Sequence, residues 1–209
     1  MKILNLYAGI GGNRKHWSGC EVTAVEYTQK IADVYARLNP NDTVVVADAH
    51  QYLLDHYHEF DFIWSSPPCQ SHSRMIRSGR NRKPRYPDFK LYEEIVFLFR
   101  NCKDKLWVVE NVIPYYTPLI EGTKIGRHLF WSNFDLPQIN PPEFKNFINE
   151  QNLDAKEKLH EWLGIHYEEN IYYEGNHCPT QILRNCVHPD VGREIFNEAK
   201  KQHIELMLQ

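Results

Sequence analysis

Residues 61–70 read Asp-Phe-Ile-Trp-Ser-Ser-Pro-Pro-Cys-Gln, an apolar run that ends in a serine and proline turn carrying one cysteine. The run 61–64 predicts a short buried strand because it is apolar and bounded by turn residues. Two prolines fix φ and remove two backbone donors, so they end the strand and hold Cys69 in a defined turn. Open α/β sheets carry their chemistry at the carboxyl ends of their strands. Cys69 is therefore either a nucleophile or a small buried residue at a tight turn.

Strand and helix patterns alternate around that stretch over the first two thirds of the chain. The βαβα order predicts an α/β fold in which a mostly parallel sheet carries helices on both faces. Strands are predicted at 2–7, 21–25, 43–46, 61–64 and 105–109, and helices at 28–38, 49–54 and 88–102, with a further helix beginning at 13–18.

After residue 112 the pattern loosens. One more strand is predicted at 127–132, and the polar stretch 135–179 contains one helix, 155–163, and a strand-like segment, 170–173. We interpret 135–179 as a small inserted target-recognition module, and 1–134 with 180–209 as the catalytic domain. A final helix at 192–208 is expected to fold back over the side of the sheet that no earlier helix covers.

Composition limits the class of protein. The net charge is −3, so affinity for nucleic acid must come from a local basic patch. Five cysteines are widely spaced with no CxxC pair, which argues against a disulfide framework and a zinc cluster; we predict no metal. No signal-peptide pattern is present, and no apolar run reaches the roughly 18 residues of a membrane span. We expect a cytoplasmic protein with no membrane partner.

A glycine turn, Ala8-Gly9-Ile10-Gly11-Gly12, follows the first strand and lets a ligand approach the backbone closely. Glu26 follows the second strand and can accept hydrogen bonds from both hydroxyls of a ribose. Asp48 follows the third strand and can accept from an adenine amino group. Alternatively, the turn is a plain tight turn and the acids are strand-end or capping residues. Together they favour a nucleoside cofactor, and Cys69 favours S-adenosylmethionine over nicotinamide because hydride transfer does not need a cysteine.

Four motifs resemble those of the cytosine-C5 methyltransferases, and they occur in that family's order. They are Leu6-Tyr7-Ala8-Gly9-Ile10-Gly11-Gly12, Pro67-Pro68-Cys69-Gln70, Val109-Glu110-Asn111-Val112 and Asn185-Cys186-Val187. The matching elements span residues 3–134 and 181–200. The resemblance implies a Rossmann-like, S-adenosylmethionine-dependent methyltransferase fold.

The resemblance also implies a covalent reaction. The Cys69 thiolate would add to C6 of a cytosine that has left the duplex stack. Glu110 would contact N3 and the exocyclic amine and place a proton where negative charge develops, which calls for a raised carboxyl pKa. Asn111 would brace the Cys69 loop; alternatively, Glu110 and Asn111 are a polar strand end. Arg127 would contact the flipped base, or it is an ordinary strand-edge cation.

The same resemblance implies how the cofactor is held. Tyr7 would pack against the adenine, where the family usually has phenylalanine. Glu26 would hold the ribose, Asp48 the adenine amine, and Asn185 and Val187 the methionine end. The full set of predicted cofactor residues is Tyr7, Ala8, Gly9, Gly11, Gly12, Glu26, Tyr27, Asp48, Ala49, Pro68, Asn185 and Val187.

A basic run follows Cys69 in an otherwise acidic chain. Its place beside the nucleophile favours a loop over the active site that clamps phosphates, although a solvated charged loop is the alternative. We predict contacts with double-stranded DNA from Gln70, Ser73, Arg74, Arg77, Arg80, Arg82, Lys83 and Arg85.

Two departures from the family pattern affect recognition. Only residues 135–179 are available for target recognition, so the recognised sequence is short, or a second subunit or homodimer completes the site. The last motif has Arg184 where the family has glycine.

So compact an enzyme would suit a phage that masks its DNA from host nucleases. A tRNA methyltransferase, a nicotinamide-dependent oxidoreductase and a catalytically silent binding module stay open as alternatives.

Overall fold

A computed structural model describes residues 1–74, 86–144, 154–172 and 178–208. Seven strands form one sheet: β1 (Lys2–Leu6), β2 (Glu21–Glu26), β3 (Thr43–Val46), β4 (Phe62–Ser65), β5 (Leu106–Val112), β6 (Thr123–Ile125) and β7 (His128–Ser132). The helices are α1 (Gln29–Leu38), α2 (Ala49–His56), α3 (Lys90–Asn101), α4 (Asp154–Leu163), α5 (Gln181–Asn185) and α6 (Pro189–Met207), and a short 3-10 turn at Tyr57–Glu59 leads into β4.

The strands are ordered β3-β2-β1-β4-β5-β7-β6 across the sheet. Strands β1 to β5 pair in parallel, while β7 runs antiparallel to both β5 and β6. The four residues of β4 are all buried, as expected of a central parallel strand that is covered on both faces. The predicted mostly parallel α/β sheet is confirmed.

Helices cover both faces of the sheet. On one face, α2 and α3 bury Leu53 and Leu98 against residues that include Ile63 of β4. On the other face, α6 buries Ile195 and Phe196 in a second apolar cluster that includes β1, β4 and β5. The chain's last helix does therefore fold back onto the sheet, as predicted.

The prediction of a helix beginning at 13–18 is wrong, because this segment forms successive turns. Helix α6 comes too close to leave room for one: a Cβ built on Gly192 would lie 2.1 Å from the Asn13 carbonyl oxygen. Trp17 is buried against α6 and donates from Nε1 to the Gly192 carbonyl at 3.0 Å. Tertiary packing has overridden local helical preference here.

Helix α4, the described helix within 135–179, packs against α1 and α5. Leu159 and Leu163 of α4 share an apolar cluster with Ile31 of α1 and Leu183 of α5. Lys15 reinforces this contact by donating to the carbonyl of Leu163 at 3.1 Å, at the end of α4. No strand is present at 170–172, contrary to the strand-like prediction for 170–173, whose last residue lies outside the described ranges. The division into a catalytic domain and a target-recognition module stays a prediction.

Candidate active site

A cavity of about 1140 Å³ lies at the carboxyl edge of the parallel strands. The loops that follow β1, β2, β3 and β4 line it together with the last three residues of β5, as expected of an open α/β sheet. Its lining includes every predicted catalytic residue, namely Cys69, Glu110, Asn111 and Arg127, and the predicted cofactor residues Tyr7, Ala8, Gly9, Gly12, Glu26, Tyr27, Asp48, Ala49, Pro68, Asn185 and Val187. Gly11 is absent from the lining, since a Cβ there would point into Tyr35 and Asn39 of the α1 end.

Cys69 occupies the turn after β4. Its carbonyl accepts backbone hydrogen bonds from His72 at 3.0 Å and Ser73 at 2.9 Å, which closes the chain tightly behind the thiol. The pKa of the thiol is raised to about 11 by burial and by the neighbouring Glu110 carboxyl, while Arg127 acts in the opposite direction. In the protein alone Cys69 is therefore a neutral thiol, and its activation requires a change in its surroundings.

Glu110 lies near the end of β5 and is 6% exposed. Burial raises the pKa of its carboxyl to about 7, although a hydrogen bond from Ser66 and the positive charge of Arg127 both act to lower that pKa. Trp64 in turn donates from Nε1 to the Ser66 hydroxyl oxygen at 3.0 Å, which orients that hydroxyl. A carboxyl with this pKa can give or take a proton near neutral pH.

Asn111 joins the strand end to the cysteine turn. Its side chain is 1% exposed and donates from Nδ2 to the Pro67 carbonyl at 2.9 Å. Its Oδ1 accepts from the backbone of Val112 at 2.9 Å, so the amide orientation is fixed at both ends. This hydrogen bond attaches the Pro-Pro-Cys turn to β5 and therefore fixes the position of Cys69 relative to Glu110.

Arg127 and His128 also line the cavity. Arg127 Nη2 donates to the Cys186 carbonyl at 3.0 Å and to the Arg184 carbonyl, which ties it to the final motif. Burial lowers the pKa of Arg127, and the charge of Glu110 partly offsets this. His128 Nε2 lies 3.6 Å from Glu110 Oε1, and burial with nearby Arg127 holds the pKa of His128 well below its usual range. His128 is therefore a neutral neighbour of Glu110.

The glycine turn lines the part of the cavity that the sequence predicts to hold the cofactor. Gly9 has φ +55°, and its N–H donates to Glu26 Oε2 at 3.0 Å. A Cβ built on Gly9 would meet no atom within 4 Å, so open space lies over this backbone. At Gly12 a Cβ would lie 2.6 Å from Cys186 Cβ, so the turn also packs against the final motif. These residues fit a nucleoside cofactor that approaches the backbone at Gly9.

The two acidic residues each have a structural contact as well. Glu26 accepts from the backbone of Thr28 at 2.9 Å in addition to Gly9, and burial raises the pKa of its carboxyl. Asp48 Oδ1 accepts from the Gln51 backbone at 3.0 Å and thus caps α2, the alternative raised for it from sequence. Both carboxylates keep lone pairs that can accept from a ligand.

Other predicted cofactor residues surround this turn. Tyr7 has φ +54° and is half-buried, whereas Tyr27 is an exposed side chain at the rim. Asn185 is exposed and accepts from Gln181 Nε2 at 2.7 Å, and Val187 is buried beneath the cavity.

The predicted nucleic-acid residues fall into three groups. Gln70 and Ser73 line the cavity. Arg74 is exposed outside the lining, with its Nε 3.4 Å from the Pro114 carbonyl. Arg77, Arg80, Arg82, Lys83 and Arg85 lie outside the described residues.

Sequence reasoning missed two residues of the catalytic end. Ser66 was read only as part of a turn, yet its hydroxyl contacts Glu110. His128 directly follows Arg127, and it faces Glu110 because residue 128 pairs with residue 112 in the sheet. Neither residue matches a motif, so only the strand register could have indicated them.

A family model for C-5 cytosine-specific DNA methylases matches residues 1–116. The chain belongs to that family. Membership confirms S-adenosylmethionine as the predicted cofactor and agrees with the Rossmann-like methyltransferase fold. No curated protein matches the chain by sequence.

Solved methyltransferases are also similar to the chain. A DNMT2 triple mutant from Spodoptera frugiperda is 28% identical over 53% of this chain and 35% of its own, with a TM-score of 0.39. A SAM-dependent methyltransferase from Agrobacterium tumefaciens is 16% identical over 56% and 40%, with a TM-score of 0.40. A putative DNA modification methyltransferase encoded within an Escherichia coli prophage is 20% identical over 56% and 33%, with a TM-score of 0.38. The chain thus spans about a third of the length of that DNMT2.

Within the described ranges, no group of His, Cys, Asp and Glu side chains could hold a metal ion. Across the same ranges, no helix has the length and apolar character needed to cross a membrane.

Proposed function

We propose that the protein methylates C5 of cytosine in double-stranded DNA through a covalent bond to Cys69. The observation that carries the proposal is the Asn111–Pro67 hydrogen bond, which holds the Cys69 turn and Glu110 together at one end of a cavity. The glycine turn with Glu26 lies at the other end of the same cavity. A nucleophile, an acid near neutral pKa and a nucleoside pocket are the parts that this reaction needs.

Cys69 first gives up its thiol proton to solvent, and the thiolate adds to C6 of the cytosine, which places negative charge on the ring. Glu110 donates a proton to N3, so that charge is neutralised and C5 becomes nucleophilic. S-adenosylmethionine would supply the electrophilic methyl group that C5 takes and would leave as S-adenosylhomocysteine. The C5 proton is then lost to base, the bond between C6 and sulfur breaks, and Cys69 leaves as a thiolate while Glu110 recovers its proton.

The target cytosine has to leave the helix stack to enter a cavity of this depth. We assign the phosphate contacts to the basic run that includes Arg80, Arg82 and Arg85, and target recognition to residues 135–179, with a second copy of the chain as the partner that would complete it. Replacing these three arginines together by alanine is expected to reduce the dependence of DNA affinity on salt by up to three slope units. DNA binding measured across a salt series checks this, and an unchanged slope removes the run from the phosphate contacts.

The decisive experiment is nucleoside mass spectrometry of duplex DNA after incubation with the protein and S-adenosylmethionine. We expect 5-methylcytosine from the native protein and from Cys20→Ala, whose thiol lies outside the cavity. We expect none from Cys69→Ala, although that variant still binds S-adenosylmethionine. Product from Cys69→Ala contradicts the covalent mechanism, and product in tRNA but not in duplex DNA contradicts the substrate.

A further inference from the structure

A fully buried carboxylate on α3 does not line the cavity and has no step in the proposed reaction. Glu94 is on α3, and its side chain is 0% exposed. A carboxylate removed from water is strongly unfavourable unless hydrogen bonds replace the lost hydration. The groups that provide these bonds therefore indicate what Glu94 does.

Three side chains from three other parts of the fold converge on Glu94. Tyr7 Oη donates to Oε1 at 2.5 Å, and Ser65 Oγ donates to Oε2 at 2.6 Å. His50 Nδ1 lies 3.0 Å from Oε1, and since a carboxylate only accepts, the imidazole is the donor there. Each carboxylate oxygen is thus engaged, and the buried group is well satisfied.

The three donors lie in three different segments beside the cavity. Tyr7 follows β1, opens the glycine turn and itself lines the cavity. His50 is the second residue of α2 and directly follows Asp48 and Ala49, which line the cavity. Ser65 ends β4 and directly precedes the cavity-lining turn that carries Cys69. One side chain on α3 therefore bonds to three segments that are continuous with the cavity lining.

The hydrogen bond between Tyr7 and Glu94 restrains a residue whose backbone conformation is unfavourable. Tyr7 has φ +54°, a region that residues with a side chain rarely adopt. Such conformations persist only where the surrounding structure holds them. Because the Tyr7 hydroxyl is bonded to Glu94, both the ring and the start of the glycine turn are held in one orientation.

We propose that Glu94 is a positioning residue that holds the glycine turn, the start of α2 and the end of β4 in place around the S-adenosylmethionine site through Tyr7, His50 and Ser65. The proposal rests on the proposed assignment of the cavity beside these segments to the cofactor. It predicts that loss of the carboxylate weakens cofactor binding although Glu94 does not line the cavity.

Calorimetry with S-adenosylmethionine tests this on the purified full chain, without any nucleic acid. The variant is Glu94→Gln, and the matched control is Glu93→Gln, an exposed neighbour on α3 that lies 3.7 Å from the other nitrogen of His50. We expect the dissociation constant to rise about tenfold in Glu94→Gln, the size expected for lost bonds to a charged group, and to stay unchanged in Glu93→Gln. Equal affinity in the folded Glu94→Gln variant overturns the proposal.

A cycle with Tyr7→Phe separates positioning from a general structural role. If Glu94 acts through the Tyr7 hydroxyl, Tyr7→Phe alone weakens binding several-fold and Glu94→Gln then adds little. Independent, additive effects contradict action through Tyr7. Should Glu94→Gln fail to fold, Tyr7→Phe alone decides, and native affinity in it overturns the proposal.

Steady-state kinetics add a readout that misfolding would not reproduce. In Glu94→Gln the KM for S-adenosylmethionine should rise while kcat at saturating cofactor stays within about twofold of native. A native protein that binds S-adenosylmethionine yet methylates no cytosine contradicts the proposed function but leaves this test of Glu94 intact.

Discussion

Two buried carboxylates near the cavity, Glu94 and Glu110, differ in the number of hydrogen bonds that they accept. Glu94, beside the glycine turn, accepts hydrogen bonds from three side chains and is held in place. Glu110, beside Cys69, accepts a hydrogen bond from Ser66, and burial dominates, raising the pKa of its carboxyl to about 7. A fully bonded carboxylate fixes structure, whereas one with few partners is ready to exchange a proton.

The largest difference between substitutions of Glu110 and of Glu94 should appear in the rate of methyl transfer. Glu110→Gln keeps the shape but has no acidic proton, so methyl transfer should fall by about 100- to 1000-fold. Cofactor affinity should be unchanged, the opposite of the pattern for Glu94→Gln. Single-turnover methylation and calorimetry measure the two quantities, with the exposed Glu121→Gln as control. A Glu110→Gln enzyme within tenfold of native would remove Glu110 from the chemistry.

Stability should also distinguish the two carboxylates, with opposite signs. The pKa of Glu110 is raised in the folded state, so the protein loses stability as pH rises from about 4.5 through 7. Glutamine does not titrate, so Glu110→Gln should be more stable than native above pH 7, by up to about 3 kcal/mol, and not at pH 4. Glu94→Gln should instead be less stable at pH 8, by about 2 kcal/mol, because an amide offers only one acceptor oxygen to donors that reach both carboxylate oxygens.

Urea unfolding at pH 4 and pH 8 measures both effects, with the native chain as reference at each pH. A Glu110→Gln variant that gains no stability at pH 8 would mean that the buried Glu110 carboxyl is as well satisfied as that of Glu94.

The pH dependence of kcat/KM should show a smaller effect. The reactive form needs a Cys69 thiolate, with a thiol pKa of about 11, and a protonated Glu110, with a pKa of about 7. Below pH 7, Glu110 is protonated and each pH unit raises the thiolate fraction tenfold. Above pH 7, loss of the Glu110 proton offsets that gain, so the profile should level off. In Glu110→Gln the rise of kcat/KM with pH should continue beyond pH 7. If the profile of that variant still levels off at pH 7, a group other than Glu110 causes the change of slope.

The smallest effect concerns Arg127, whose charge lowers the pKa of both Cys69 and Glu110. Arg127→Met should therefore move the break in the pH profile upward, by about one unit, because the protonated carboxyl is then favoured further. Arg127→Lys keeps the charge and should move it less, although it cannot bond both carbonyls in the same way. An equal shift in the two variants would show that the carbonyl contacts, and not the charge, set the pKa.

Every described strand except β6, and every described helix except α5, could be predicted from sequence because apolar periodicity reports burial directly. The cavity could be predicted as well, since Cys69, Glu110 and Glu26 all lie at strand ends, and parallel strands bring their ends to one edge. The segment 13–18 could not, because a buried Trp17 and the close approach of Gly192 decide its conformation. Those contacts join residues far apart in the chain, which local patterns do not show.

The hydrogen bonds that three distant side chains make to Glu94 could not be predicted either, because local sequence patterns do not show such contacts. In sequence it is one of two adjacent glutamates on an amphipathic helix, and only the fold shows that one is buried and the other exposed. The pKa of Glu110 could be anticipated in direction from the chemistry, but its partner Ser66 could not. Side-chain networks between elements depend on packing that no single segment contains.

The close packing of α6 against the first turns has a consequence for how the protein is made. Gly12 packs against Cys186 in the cavity wall, and Trp17 packs against Gly192 nearby, so residues that are far apart in the sequence meet beside the cavity. Contacts of such long sequence separation form late and slow the folding of a domain. A growing chain on the ribosome therefore cannot complete this cavity until α6 has emerged.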